Sequence, residues 1–347
     1  MKKISRRKLL TGGGAAAASL PALHALVPHQ GIHDALGAEP HHEGPGPHSE
    51  AGHRGSGHLG AVGSVDPAVN GFDPHEILRD FDEGTVRREG GRTVREWEIV
   101  AEDKEIEVAP GVKYLAWAYN GRVPGPTLRA REGERLRVRF INGAQHPHTM
   151  HFHGIHPSSQ DGIPGVGAGN VDPGESTVYE FDAEPFGFHL YHCHSSPLAD
   201  HIAKGLYGAF IIDPKEGRPD ADELVLVQNG FDTNFDRSNE VYAVNTVAFA
   251  YMDRPIRVKR DRLVRIYLLN ILEFDLVNSF HIHANFFHRF PTGTSLEPTE
   301  LTDTIVQGQG QRDILELRFP YTGKYMFHAH VSEFADLGWM GFFEVED

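Results

Sequence analysis

From about residue 80 onward, apolar and polar residues alternate over short runs broken by Gly and Pro, the pattern of half-buried strands. Glu96–Ala101, Lys113–Tyr119, Leu136–Asn142, Thr177–Phe181 and Ala209–Ile212 read as strands. A break follows at Pro214-Lys215-Glu216-Gly217-Arg218-Pro219. Leu224–Gln228, Leu263–Asn270, Ile314–Phe319, Tyr325–Phe327 and Gly341–Val345 then resume the pattern. No long stretch carries a helical period. The spacing predicts an all-β chain of two tandem Greek-key β-sandwich domains, 76–216 and 217–347, joined near 214–222. The halves also repeat each other. Arg135–Asn142, a loop and His151-Phe152-His153 match Leu263–Asn270, a loop and His281-Ile282-His283. Gly187–His194 aligns without a gap on Gly323–His330, and in that register Gly205-Leu206 falls on Gly341-Phe342. One sandwich unit has been duplicated.

The segment before the strands is different in kind. Residues 1–27 place Lys2, Lys3, Arg6 and Arg7 ahead of a weakly apolar Gly/Ala stretch, and Ser5-Arg6-Arg7-Lys8-Leu9-Leu10 resembles a twin-arginine export signal. That stretch is too weakly hydrophobic for a membrane span. Residues 28–75 are rich in Gly, Pro, Ala and His without periodicity, and read as a disordered linker. The expected location is therefore extracellular, cell-envelope or periplasmic.

Composition narrows the chemistry. The chain has 347 residues and a formal charge of −15, which argues against a nucleic-acid partner. A single Cys excludes an internal disulfide, whereas 23 His are unusual. Four His-x-His pairs, 151/153, 192/194, 281/283 and 328/330, fall at matching positions of the two halves. Residues two apart in a strand face one way, so each pair offers two imidazoles to one side. Satisfied core histidines explain one or two of these, not a matched set of eight. Cys193 lies between His192 and His194 and so faces the opposite side, as does His148 relative to His151 and His153. His201 follows eight residues after the cysteine. Two imidazoles and a thiolate are the ligand set of a blue copper site, normally with a weak axial Met. Leu206 stands at the expected axial position and cannot ligate, which predicts a trigonal site of raised potential. Through the repeat, His148, Cys193, His201 and Leu206 fall on Asn278, Ala329, Leu337 and Phe342, so the second half loses all three ligands together.

Asn120-Gly121-Arg122-Val123-Pro124-Gly125-Pro126-Thr127, HFHG at 151–154 and HCH at 192–194 resemble multicopper oxidases, and the resemblance runs from about residue 90 to the C-terminus. It is greatest to the two-domain laccase-like members of cupredoxin fold with the blue copper in domain 1. The resemblance implies four coppers per chain: type 1 on His148, Cys193 and His201; type 2 on His151 and His281; and a type 3 pair on His153, His192, His194, His283, His328 and His330. It implies that Cys193 relays electrons to its flanking histidines and that Asp161, in Gln160-Asp161-Gly162-Ile163-Pro164, delivers protons. It further implies dioxygen as acceptor, a small reducing substrate, and a homotrimer with clusters between subunits.

A copper nitrite reductase is the nearest rival. It needs one type 2 copper on three histidines, with an Asp near where His151 stands. A copper store is a rival from another class, favoured by the His-rich segment but leaving the thiolate relay unexplained. A metallo-oxidase of cuprous, ferrous or manganous ions stays open as an alternative, although five Met and no Met-rich run weigh against a cuprous oxidase. His156 and His288 receive no role.

Overall fold

The computed structural model describes residues 63–347. The readings for 1–27 and for 28–62 fall outside the described residues. The expected linker ends earlier than residue 75. Pro67–Asn70 and Pro74–Ile77 are single helical turns, with Asp66 accepting from the Ala68 N–H and Asp73 from the His75 N–H. Phe72, Ile77 and Leu78 are buried. Val65 and Phe72 are too few apolar anchors among Gly, Pro and His to register as periodicity, yet with Ile77 and Leu78 just beyond they fasten a strap.

Two β-sandwiches follow. The first pairs a sheet of Phe81–Asp82, Thr127–Arg131, Tyr207–Asp213, Gly187–His192 and His151–Phe152 with a sheet of Thr85–Glu89, Arg92–Ala109, Arg135–Asn142 and Ser176–Asp182, onto which Val112–Tyr119 is added. The second pairs Ile256–Lys259, Met340–Glu346, Gly323–His328, Val277–Ile282 and Thr304–Gly308 with Val241–Val244, Asp222–Phe231, Val264–Asn270, Arg312–Leu317, Phe287–Pro291 and Glu300–Thr302. The strands expected from alternation are present. The very short ones, such as His151–Phe152, carry too few residues to alternate visibly. Among the described residues, helices are confined to turns of three to six residues.

Each sandwich has its own apolar core. The first centres on Leu136, Val138, Phe140, Phe152 and Phe210, the second on Leu226, Ile266, Phe280, Phe327 and Trp339. A third cluster draws on both sandwiches, with Tyr114, Phe188, Leu190 and Tyr207 packed among Val225, Val227, Phe231 and Tyr267. The two sandwiches thus share a continuous apolar seam.

The duplication is visible in the ladders. His151 lies opposite His192, and His281 lies opposite His328. Beyond that point the gapless alignment fails. The Cys193 N–H donates to the Leu206 carbonyl and the Leu206 N–H to the His201 carbonyl. In the second sandwich, the Ala329 N–H donates to the Trp339 carbonyl and the Trp339 N–H to the Phe334 carbonyl. Gly205 and Gly338 hold matching left-handed φ angles of +116° and +130°. A Cβ on Gly205 would lie 2.8 Å from the Trp117 carbonyl, and one on Gly338 would strike that of Tyr242, so both positions require glycine. His201 therefore corresponds to Phe334, not Leu337. Leu206 corresponds to Trp339, not Phe342. The second loop is three residues shorter, because Tyr207 pairs with His192 whereas Met340 pairs with His328.

Candidate metal centres

The edge strands of the first sandwich carry two back-to-back donor groups. Behind the strand ends, His148, Cys193 and His201 are all buried and converge. The two Nδ1 atoms are 3.1 Å apart, and Cys193 Sγ lies 3.2 Å from His201 Nδ1 and 3.8 Å from His148 Nδ1. Burial lowers the imidazole pKa values to about 3 for His148 and about 4 for His201. Both rings are neutral at pH 7 and present lone pairs. Burial also raises the pKa of the Cys193 thiol, so a thiolate here needs a cation to hold it. Three soft or borderline donors aimed at one point in a dry pocket fit copper. Leu206 is fully buried in the same apolar core as Cys193 and offers no donor.

In the second sandwich the corresponding positions carry Asn278, Ala329 and Phe334, all buried. Asn278 Nδ2 and Trp339 Nε1 are buried without partners, and Phe334 stacks on Tyr242 at 4.1 Å. The ligand triad has no counterpart there.

In front of the strands, His151, His153, His192 and His194 form one group, with ring centroids 4.9 to 5.8 Å apart. His281, His283, His328 and His330 form its copy, at 5.0 to 5.9 Å. The anchoring behind each group is also copied. The Nδ1–H of His192 donates to the Cys193 carbonyl at 2.7 Å, and that of His328 to the Ala329 carbonyl at 2.7 Å. His151 Nδ1 faces the Asp161 carbonyl at 2.8 Å and its carboxylate at 2.9 Å. His281 Nδ1 faces the Asp303 carbonyl at 3.0 Å and the Thr304 hydroxyl at 2.8 Å. A neutral ring that donates through Nδ1 leaves Nε2 as a bare lone pair.

His153 and His192 bring Nε2 atoms to 2.9 Å, and His283 and His328 to 3.0 Å. Burial lowers the pKa of His153 to about 3 and of His192 to about 4, and it lowers those of His151 and His328 as well. Neutral rings crowded nitrogen to nitrogen suit a shared metal cation.

Thr149 ties the two sides of the first sandwich together. Its N–H donates to Cys193 Sγ at 3.3 Å, while its hydroxyl accepts from the His194 N–H at 2.8 Å. Ser279 repeats the second contact, accepting from the His330 N–H at 2.7 Å. This hydroxyl stands two residues before the first histidine of each half, a signal the sequence carried and the motif reading passed over. Also missed were Asp303 and Trp117. The Trp117 ring covers the Cys193 site, with centroids 4.7 Å from His201 and 5.0 Å from His148. His156 has Nε2 2.6 Å from the Phe152 carbonyl and 3.6 Å from the Asp161 carboxylate. His288 is exposed on Phe287–Pro291.

The fold and these donor groups define a two-domain cupredoxin-like protein. Multicopper oxidase family models match residues 100–217 and 219–347, and the chain belongs to the multicopper oxidase family. A solved structure described as a multicopper oxidase is 63% identical, with a TM-score of 0.81 over 82% of this chain and all of that one. The blue copper oxidase of Nitrosomonas europaea is 28% identical, with a TM-score of 0.66 over 73% of this chain and 86% of that one. The copper-containing nitrite reductase of Neisseria gonorrhoeae is 32% identical over 249 residues, 66% of this chain and 62% of that protein's length. No helix of the described residues is long and apolar enough to cross a membrane.

Proposed function

We propose that this protein is a laccase-like oxidase, coupling one-electron oxidation of phenolic or other small reductants to four-electron reduction of dioxygen to water. The observation that carries the reading is the twofold set of four histidines, in which His151, His192, His281 and His328 are anchored through Nδ1 while His153 meets His192, and His283 meets His328, through Nε2. A site for a single copper on three histidines would not use eight. The assignment follows the sequence reading: type 1 copper on His148, Cys193 and His201; type 2 on His151 and His281; the type 3 pair on the other six. Residues 76–216 and 217–347 are taken as the two domains, and residues 1–27 as an export signal.

Copper bound at these groups would supply one-electron redox chemistry, and the three coppers of the cluster together with the type 1 copper would hold the four electrons that dioxygen needs. The chain's own residues do the rest. Burial of His148, Cys193 and His201 keeps water off the thiolate. Cys193 is joined through the backbone to His192 and His194, which provides a short covalent path between the two donor groups. Asp161 holds the His151 Nδ1 proton and stands beside the histidine group, where an acid can hand protons to reduced oxygen.

Among the described residues, no ring contact or hydrogen bond joins a histidine of one group to a histidine of the other. His283 and His330 are exposed. A cluster that needs both groups must then be closed by another copy, which supports a homotrimer with the first sandwich of one subunit against the second sandwich of the next.

Elemental analysis and oxygen uptake test the reading: about four coppers per chain, with uptake supported by a phenol, is the expected result. Nitrite reduction is the second reading, favoured by the Neisseria relative. About two coppers per chain, with nitrite as the working acceptor, would establish it instead. Asp161→Asn is expected to leave reduction of the blue chromophore by donor unchanged while slowing its reoxidation by dioxygen about a hundredfold, within the range for loss of a proton-transfer group. Stopped-flow measurement of the two half-reactions checks this. Equal slowing of both would mean that Asp161 only props up His151.

A further inference from the structure

A cavity of about 200 Å³ opens beside the Cys193 site, between the two sandwiches. Trp117 lines it from the first sandwich, with its other side against His148 and His201. Phe235 and Phe274 line it from loops of the second. Both phenylalanines sit at left-handed φ, +64° and +71°. That conformation is costly for a bulky side chain and recurs where rings are held to clamp a ligand.

Lys204 also lines the cavity and, among the described residues, makes no ion pair. Its ammonium lies 4.4 Å from the Phe235 ring centre and 5.2 Å from that of Trp117. Its one hydrogen bond is a long 3.4 Å contact to the Leu115 carbonyl. Asp200, Asp232 and Arg237 line the cavity too, and the two carboxylates are held by other partners. Asp200 pairs with Arg237 at 2.9 Å, and Asp232 accepts the N–H groups of Asp236 and Arg237. Burial pulls the Lys204 pKa below the usual lysine range, against the opposing pull of Asp200, Asp232 and Asp103. Aromatic walls and one unpaired cation fit a flat ring bearing a negative group.

We propose that this cavity binds the electron donor as a small aromatic anion, a carboxylated phenol whose ring rests on Trp117 and whose carboxylate meets Lys204. The proposal rests on the oxidase reading above. Each donor gives up one electron and its phenolic proton and leaves as a phenoxyl radical. Four such donors match one dioxygen and yield two waters. Trp117 is a positioning residue, setting the donor ring against the imidazoles behind it.

Calorimetric titration of the copper-loaded protein with 4-methoxybenzoate, which has no oxidisable hydroxyl, tests the site apart from turnover. The acid is expected to bind about tenfold tighter than 4-methoxybenzamide, the scale of one charge-assisted hydrogen bond. Lys204→Met should erase the difference and Lys204→Arg preserve it. In steady state, Lys204→Met should raise KM for 4-hydroxy-3-methoxybenzoate about tenfold and leave KM for its methyl ester unchanged. Equal affinity for acid and amide in the unsubstituted protein overturns the proposal, as does a K204M variant that weakens both alike. Preferential binding of the acid without oxidation of any phenol would sink the oxidase reading and leave the anion site standing.

Discussion

Cys193→Ser is expected to abolish the blue thiolate absorption, lower copper from about four to about three per chain, and stop donor-dependent oxygen uptake. Sulfur is the only soft donor in the buried triad, and a hydroxyl in its place is a weak ligand at neutral pH. His148 and His201 would be left with Nδ1 atoms 3.1 Å apart and nothing to bring a third strong donor to them. The fold should survive. The backbone of residue 193 keeps its bond to the Leu206 carbonyl, and the Thr149 N–H that faced sulfur can donate to the new hydroxyl. A cost of about 1–2 kcal/mol is expected for a near-isosteric polar change in a core. The histidine groups in front of the strands are untouched, so the remaining coppers should stay. Copper analysis with an absorption spectrum decides the matter. A full copper complement and an intact blue band in the serine variant would remove Cys193 from the site.

The fold class was legible because alternation and Gly/Pro breaks persist over long strands such as Arg135–Asn142, where packing and propensity agree. The histidine groups were legible for a related reason: a two-residue period in a strand makes a sequence motif into a shared face. Where regular structure stops, so did the reading. The gapless alignment held through the paired strands Gly187–His192 and Gly323–His328, then slipped by three residues in the loops that follow. Loop length is free to vary so long as both ends meet the next strand. The backbone bonds of Leu206 and Trp339 and the matching conformations of Gly205 and Gly338 reveal the true equivalence. For the second half, Leu337 and Phe342 were named at the positions that Phe334 and Trp339 hold. The aromatic wall over the Cys193 site escaped notice for a different reason. Trp117, Phe235 and Phe274 are far apart in the chain and meet only because the two sandwiches pack together.

Val306→Asp is expected to yield a monomer that is still blue, holds about one copper per chain, and reduces no dioxygen. Val306 lies opposite Ser279 on the strand that borders His281, and it is 59% exposed, with Val277 at 46% and Leu276 at 87%. Apolar side chains left open around a half-complete histidine group are what a subunit contact would cover. In the single chain the new carboxylate would point into water, so its effect on folding should stay near 0.5 kcal/mol, with a further fraction for lower strand preference. In the assembled form it would be buried against a neighbour without a partner, at a cost of several kcal/mol per contact. Each 1.4 kcal/mol is a tenfold loss in association, so three such contacts should dissociate a trimer at ordinary concentrations. The triad of His148, Cys193 and His201 is complete within one sandwich and should keep its copper and colour. The four histidines at 281, 283, 328 and 330 would lose the facing group, and with it the metal cluster. Sedimentation velocity and copper analysis on one preparation, repeated with Val277→Asp, separate the outcomes. A variant that stays trimeric with its full copper content would place the interface elsewhere. A monomer retaining about four coppers and normal oxygen uptake would mean that the two histidine groups meet within a single chain.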